Sequence, residues 1–263
     1  MSAERIAIFG GVYSNHVALA ALLEDAPKRG ATHLYCLGDL GAFGPHPDKI
    51  FPLLRDAQIP VVQGNYDNSV GNNLADCQCG YTDPKDNYFA RLSYDYTFAR
   101  TSAENKNWLR DLPVELRLEL NGVRLLLIHG SPRKMNEFLW ETTTSRAFLE
   151  RLCQSHQADV IVGTHTGLHW HRALPGGKHF VNCGAIGRPA NDGRTCVWYC
   201  LLEVNKNAET AVEFIPLEYD HARLAAEMEQ ENLPQEFITT IDTGWWTTCL
   251  EVLPMKERAR GIY

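Results

Sequence analysis

Short apolar runs alternate with helical patterns through the first two thirds of the chain, and this alternation constrains the fold more than any other feature. RIAIFG (5–10) precedes the helical VALAALLEDAPKRG (17–30), HLYCLGD (33–39) precedes KIFPLLRDA (49–57), and IPVVQGN (59–65) follows. A βαβαβ order implies parallel strands joined by helical crossovers. Each strand runs into a glycine-containing turn (FGG, LGD, QGN), and in open α/β sheets ligands gather outside the carboxyl ends of the strands.

Downstream the pattern changes. Residues 68–112 are polar, with helical spacing broken by an irregular loop, and Ser102 offers a weak cap. VELRLEL-NG-VRLLLIHG (114–130) reads as a hairpin turning on Asn121-Gly122. FLERLCQSHQ (148–157) is helical and ADVIVGTH (158–165) is a buried strand. HWHRALPGGKHFVNCG (169–184) and TCVWYCLLEV (195–204) read as antiparallel partners, and AVEFIPLEY (211–219) as a last strand. The expected class is α/β, with two sheets face to face and helices outside. Residues 1–220 form the body, and 221–263 form a C-terminal helical, Trp-containing extension packed on it.

The bulk numbers fit this reading. A chain of 263 residues with 44% apolar content buries a sizeable core without disulfide staples. A net charge of −7 excludes general affinity for nucleic acid or anionic membrane. The polar opening MSAE is no secretory n-region, and no apolar run is long enough to span a bilayer. Eight cysteines without a leader read as reduced thiols in a cytoplasm. Cys77-x-Cys79 is half of a zinc pattern, with no second pair to complete it.

Four apolar strands end in a ligand-type residue: Asp39, Asn65, His129 and His165. Alone, Asp39 or Asn65 is a turn former, and either histidine is a hydrogen-bonded core residue. Together at successive strand ends, one carboxylate, one amide oxygen and two imidazoles form a ligand set for Zn, Fe or Mn.

The blocks LGDLGAFGPHP, QGNYDN, IHGSP, GTHTG and VNCGAIGRP, in this order between residues 5 and 220, resemble the calcineurin-like metallophosphoesterases, closest to their small bacterial phosphodiesterase and dinucleoside-polyphosphate hydrolase branch. The resemblance implies a four-layer αββα sandwich of two mixed sheets carrying two metals. It assigns Asp39, Asn65, His129 and His165 to one metal, with Asp39 bridging to the other. The other metal's own ligands are missing: Gly11 and Tyr13 stand where Asp-x-His is called for, and Gly167 stands at the second His of Gly-His-x-His. Tyr66 replaces a leaving-group histidine, beside a retained Asp67.

The expected centre therefore holds one divalent or trivalent metal and no second. It acts on a phosphate ester or nucleotide phosphoanhydride, a phosphorylated small molecule or nucleotide. Tyr66, Asp67 and Tyr13 are the candidate catalytic groups, although a phenol with a pKa near roughly 10 donates a proton reluctantly at neutral pH. Arg133 and Arg188 are candidate phosphate binders. The alternative is a catalytically silent member that binds a metal, a phosphorylated ligand or a protein partner. His16, His169 and His171 are substitute ligands for a second metal, or, for the latter two, residues of a solvated or substrate-facing strand edge. NEFLWETTT (136–144) reads as a helix or lid whose Phe138 and Trp140 wall the site or pack beneath the loop. Trp245-Trp246 pack on the body or form a homo-oligomer seam.

Overall fold

The computed structural model describes residues 3–259. The first two residues of MSAE and the last four of the extension lie outside the described residues. The elements run β1 (Glu4–Phe9), α1 (His16–Lys28), β2 (His33–Cys36), α2 (Ile50–Asp56), α3 (Asn65–Gly71), α4 (Pro84–Arg100), α5 (Ala103–Arg110), β3 (Glu115–Leu120), β4 (Val123–Ile128), α6 (Arg146–Ser155), β5 (Val160–Gly163), β6 (His169–Leu174), β7 (Lys178–Cys183), β8 (Val197–Val204), β9 (Thr210–Leu217), α7 (His221–Gln230), α8 (Gln235–Thr243) and α9 (Met255–Arg258).

Two mixed sheets result, in the orders β2-β1-β8-β9 and β3-β4-β5-β7-β6. β1 and β2 are parallel, as are β4, β5 and β7. The sheets meet through Ile6, Ile8, Cys200 and Leu202 of the first and Leu125, Leu127, Val160 and Val181 of the second. Leu19 and Leu22 of α1 and Ile50 and Leu54 of α2 cover the outer face of the first sheet. Leu149 and Leu152 of α6 cover Leu126, Ile161 and Phe180 on the second. This is the four-layer αββα sandwich expected. Alternate residues of a strand face opposite sides, so strands buried on both faces read as continuous apolar runs.

The hairpin forms at Asn121-Gly122, whose φ values of 46° and 83° match the left-handed two-residue turn that follows strand twist. Ser102 caps α5 by accepting from the Asn105 amide.

Several expectations are corrected. β8 does not pair with 169–184: that segment folds on itself as β6 and β7, while β8 pairs with β1 and β9 in the facing sheet. The chain crosses between sheets through residues 184–196. Residues 59–65 give only one bridge, Cys36 to Val61. NEFLWETTT forms no helix. Neither Cys77 nor Cys79 is a thiol: they lie in the irregular loop between α3 and α4 with Cα atoms 5.2 Å apart, and a disulfide joins them. The remaining six cysteines are buried thiols.

α7 and α8 of the extension pack Leu224, Met228, Phe237 and Ile241 against Val17 and Phe89. The segment after α8 returns to the carboxyl-end edge of the sheets. There Trp246 is buried with Trp140, Leu168 and Trp198, so an oligomer seam through Trp246 finds that ring inside its own chain. No helix among the described residues is long and apolar enough to cross a membrane.

Candidate metal centre

The loops after β1, β2, β4 and β5 open along one edge, and backbone hydrogen bonds tie them together. Gly11 N–H donates to Gly38 O, Tyr13 N–H to Asp39 O, Thr164 N–H to His129 O and Ile186 N–H to Gly10 O. Asn15 caps α1 through Ala18 N–H, and its amide donates to Ile186 O and Gly187 O. Tyr13, Ser14, Asp39 and His165 all have φ between 49° and 67°. Such backbone costs on the order of 1–3 kcal/mol per residue and persists where the surroundings impose it, most often at functional sites.

Along this edge Asp39, His129 and His165 bring ligand atoms within 4.8 Å of one another, all buried. His129 Nε2 lies 3.2 Å from Asp39 Oδ2 and 3.3 Å from His165 Nδ1. Two donors each about 2.1 Å from one ion are about 3.0–3.4 Å apart in octahedral or tetrahedral geometry. His129 Nδ1 sits 2.6 Å from Leu37 O. Donation there leaves Nε2 with its lone pair toward the cluster, as a ligating imidazole requires.

Asn65 opens α3 directly after Gly64, where an added Cβ would lie 2.3 Å from Asp39 Oδ1 and 3.0 Å from His129 Cε1. The Asn65 amide nitrogen donates to Cys77 O at 2.8 Å. Its Oδ1 is buried with no hydrogen-bond partner, and so is His165 Nε2. A buried acceptor without a donor costs about 1–3 kcal/mol, so the free Asn65 oxygen needs a cation or a donor. Together with a carboxylate and two imidazoles, this donor set fits Zn, Fe or Mn.

The three cluster residues also perturb one another's ionisation. Burial opposes ionisation of Asp39, yet the adjoining His129 and His165 hold its carboxyl below the usual range. Burial and the neighbouring His129 push His165 down to about 3, keeping it neutral. Burial opposes protonation of His129, but Asp39 and the Leu37 carbonyl hold it above its ordinary value.

The other sequence candidates separate. Asp67 accepts from three backbone amides, Asp39 and Gly64 at 2.8 Å and Leu40 at 2.9 Å. It braces the Asp39 loop, and burial with the charge of Asp39 pushes it up to about 6. Tyr66 donates its amide to Asp39 Oδ1, but its hydroxyl turns to Ser93 Oγ at 2.9 Å under α4. Arg133 is exposed, paired with Glu137 and lying over Phe148. His16 pairs with Glu227, His169 stacks on Trp198 and His171 meets His179. None of these three joins the cluster. Phe138 lies over His165 with ring centroids 4.3 Å apart and stacks on Trp140.

Tyr13 and Arg188 lie in the neighbouring half of the site. A Cβ on Gly11 would lie 2.9 Å from Tyr13 Cζ and 2.8 Å from Ala185 Cβ, so the Tyr13 ring covers the position an Asp would use. A Cβ on Gly167 would lie 3.1 Å from the Trp246 indole and 3.8 Å from an Arg188 nitrogen. The Tyr13 ring therefore stands against Gly11 and the Trp246 ring against Gly167, with an Arg188 nitrogen alongside. Trp246 is the member sequence reasoning did not assign here. The available signal was two glycines at ligand positions, leaving a volume that something large must fill.

Comparison with known proteins agrees with the architecture. The chain resembles a crystal structure of a metallophosphoesterase from Sphaerobacter thermophilus, with TM-score 0.70 and 25% identity over 92% of this chain and 99% of the other. It shares the fold of a hypothetical protein from Pyrococcus horikoshii, with TM-score 0.74 and 20% identity over 92% and 99% of the two chains. It is 24% identical to an uncharacterized protein of Methanocaldococcus jannaschii over 88% of this chain and 94% of that one. The sequence profile of the calcineurin-like phosphoesterase superfamily domain matches residues 5–207, and with that match the chain belongs to this superfamily.

Proposed function

We propose that the chain is a mononuclear metal-dependent phosphohydrolase acting on a phosphate ester or nucleotide phosphoanhydride. Asp39, Asn65 Oδ1, His129 Nε2 and His165 Nδ1 would hold one Zn, Fe or Mn. The observation that carries this reading is the convergence of Asp39, His129 and His165 at the strand ends, with the buried amide oxygen of Asn65, one residue after the Gly64 that packs on Asp39, left without a partner. The metal, when bound, supplies a Lewis acid for a phosphoryl oxygen and an activated water. The chain's own residues position these parts. Leu37 O orients His129, Asp67 fixes the Asp39 loop, and Phe138 covers His165 on one side.

Neither tyrosine is a ready proton donor. Burial raises Tyr66 well above its ordinary value, and burial raises Tyr13 as well. Low turnover follows. The same burial favours, as a second reading, a silent member that retains ligand binding.

Hydrolysis of p-nitrophenyl phosphate, bis-p-nitrophenyl phosphate and a dinucleoside polyphosphate by the chain reconstituted with Zn, Mn or Fe separates the two readings. Turnover that chelation removes and metal restores is the expected outcome. A metal-loaded chain that hydrolyses none of them is the binding protein of the second reading.

A further inference from the structure

Arg188 follows the β7 strand in the segment that crosses between the sheets, and it is only 6% exposed. Its guanidinium carbon lies 3.5 Å from the Trp246 ring centroid, 4.7 Å from Phe43 and 5.9 Å from Tyr13. Nε is fully buried and meets no hydrogen-bond partner. The ion pairs among the described residues that involve arginine leave this one out, whereas Arg133, Arg194 and Arg223 all find a carboxylate. Aromatic faces attract a cation, but they do not replace its hydration or use its forked donors. A buried charge is tolerated when it is paired, so this guanidinium calls for an anion.

Its place makes the anion specific. One Arg188 nitrogen lies 3.8 Å from where Gly167 would carry a Cβ, in the half-site that Gly11 and Gly167 leave without metal ligands. We infer that Arg188, held over the Trp246 ring from the C-terminal extension, supplies the positive charge of that half-site and binds phosphoryl oxygens there. The extension is then part of the site, through Trp246. This inference rests on the proposed phosphohydrolase reading and narrows its substrate class.

A guanidinium fork engages two oxygens side by side, and the proposed metal takes another. Three non-bridging oxygens exist on a phosphomonoester or a terminal phosphoanhydride group, whereas a diester has only two. The centre therefore takes monoesters or terminal phosphates in preference to diesters.

The test is calorimetric binding of inorganic phosphate and of dimethyl phosphate to the metal-reconstituted full chain, with metal content measured alongside. Arg188→Gln is expected to weaken inorganic phosphate by about 10- to 100-fold, the size of a lost charge-assisted fork, while bound metal is unchanged. Arg188→Lys keeps the charge on the Trp246 face and is expected to weaken phosphate by about tenfold, because a point charge lacks the fork. It serves if the Gln variant fails to fold. Dimethyl phosphate should bind at least about tenfold more weakly than phosphate to the wild type. Phosphate affinity within twofold of wild type in a folded, metal-loaded Arg188 variant would overturn the inference, and equal affinity for dimethyl phosphate would overturn the monoester assignment. A chain that binds no metal yet loses phosphate on Arg188→Gln would overturn the metal-centred function and leave the arginine's role standing.

Discussion

Asp39→Ala is expected to lower metal affinity by more than about 100-fold, beyond the 10- to 100-fold that loss of an outer-shell partner typically costs. Asp39 is the single carboxylate of the cluster, and burial otherwise favours neutral groups there. Removing it leaves neutral imidazoles and an amide to hold a cation away from water. The same change frees the Tyr66 amide, which donates to Asp39 Oδ1 at 3.0 Å. The check is elemental analysis after chelator competition, with circular dichroism to show that the fold persists. Metal retained at the wild-type level in a folded Asp39→Ala chain would remove Asp39 from the ligand set.

The second large effect is on stability. Asp67→Ala leaves the amides of Asp39, Leu40 and Gly64 buried without an acceptor. At about 1–3 kcal/mol per orphaned group, and with relaxation, the loss should be about 3–6 kcal/mol, a large share of a usual folding margin of about 5–15 kcal/mol. Asp67→Asn should lose less. Its single carbonyl oxygen, placed at the Oδ2 position, keeps the Asp39 and Gly64 bonds and sets a donor against the Leu40 amide alone. Urea unfolding of the three proteins measures this order. Equal midpoints for wild type and Asp67→Ala would show that Asp67 is no brace.

The Asp67 result also bears on how much was legible in the sequence. The strand ends were readable because an apolar run that stops at Asp39, His129 or His165 fixes the place of that residue at the carboxyl edge, whatever the loop does next. α3 was harder. Asn65, Tyr66 and Asp67 follow one another around its first turn, so they point in different directions, whereas the sequence puts Asn65 on the metal and both Tyr66 and Asp67 beside it as catalytic groups. Asp67 turns to the backbone of the Asp39 loop and the Tyr66 hydroxyl turns to Ser93.

The β8 pairing failed for a different reason. Consecutive strands are neighbours about two thirds of the time, but here the chain leaves one sheet after Cys183 and enters the other at Val197. The crossing segment carries Arg188. Trp246 was hidden by sequence distance, since nothing periodic links it to Gly11 or Gly167. Only the fold shows that a residue of the extension lies against both Gly167 and Arg188.

Those contacts bear on the proposal that a single ion is held by Asp39, Asn65, His129 and His165, while the Tyr13 and Trp246 rings stand against Gly11 and Gly167. Metal content per folded chain, measured by elemental analysis after reconstitution with excess Zn, Mn or Fe and removal of free ion, tests it most directly. The expected value is near one and falls to background in Asp39→Ala. A value near two would contradict it, because Gly11 and Gly167 offer a second ion no ligand side chain and the Tyr13 and Trp246 rings stand against them.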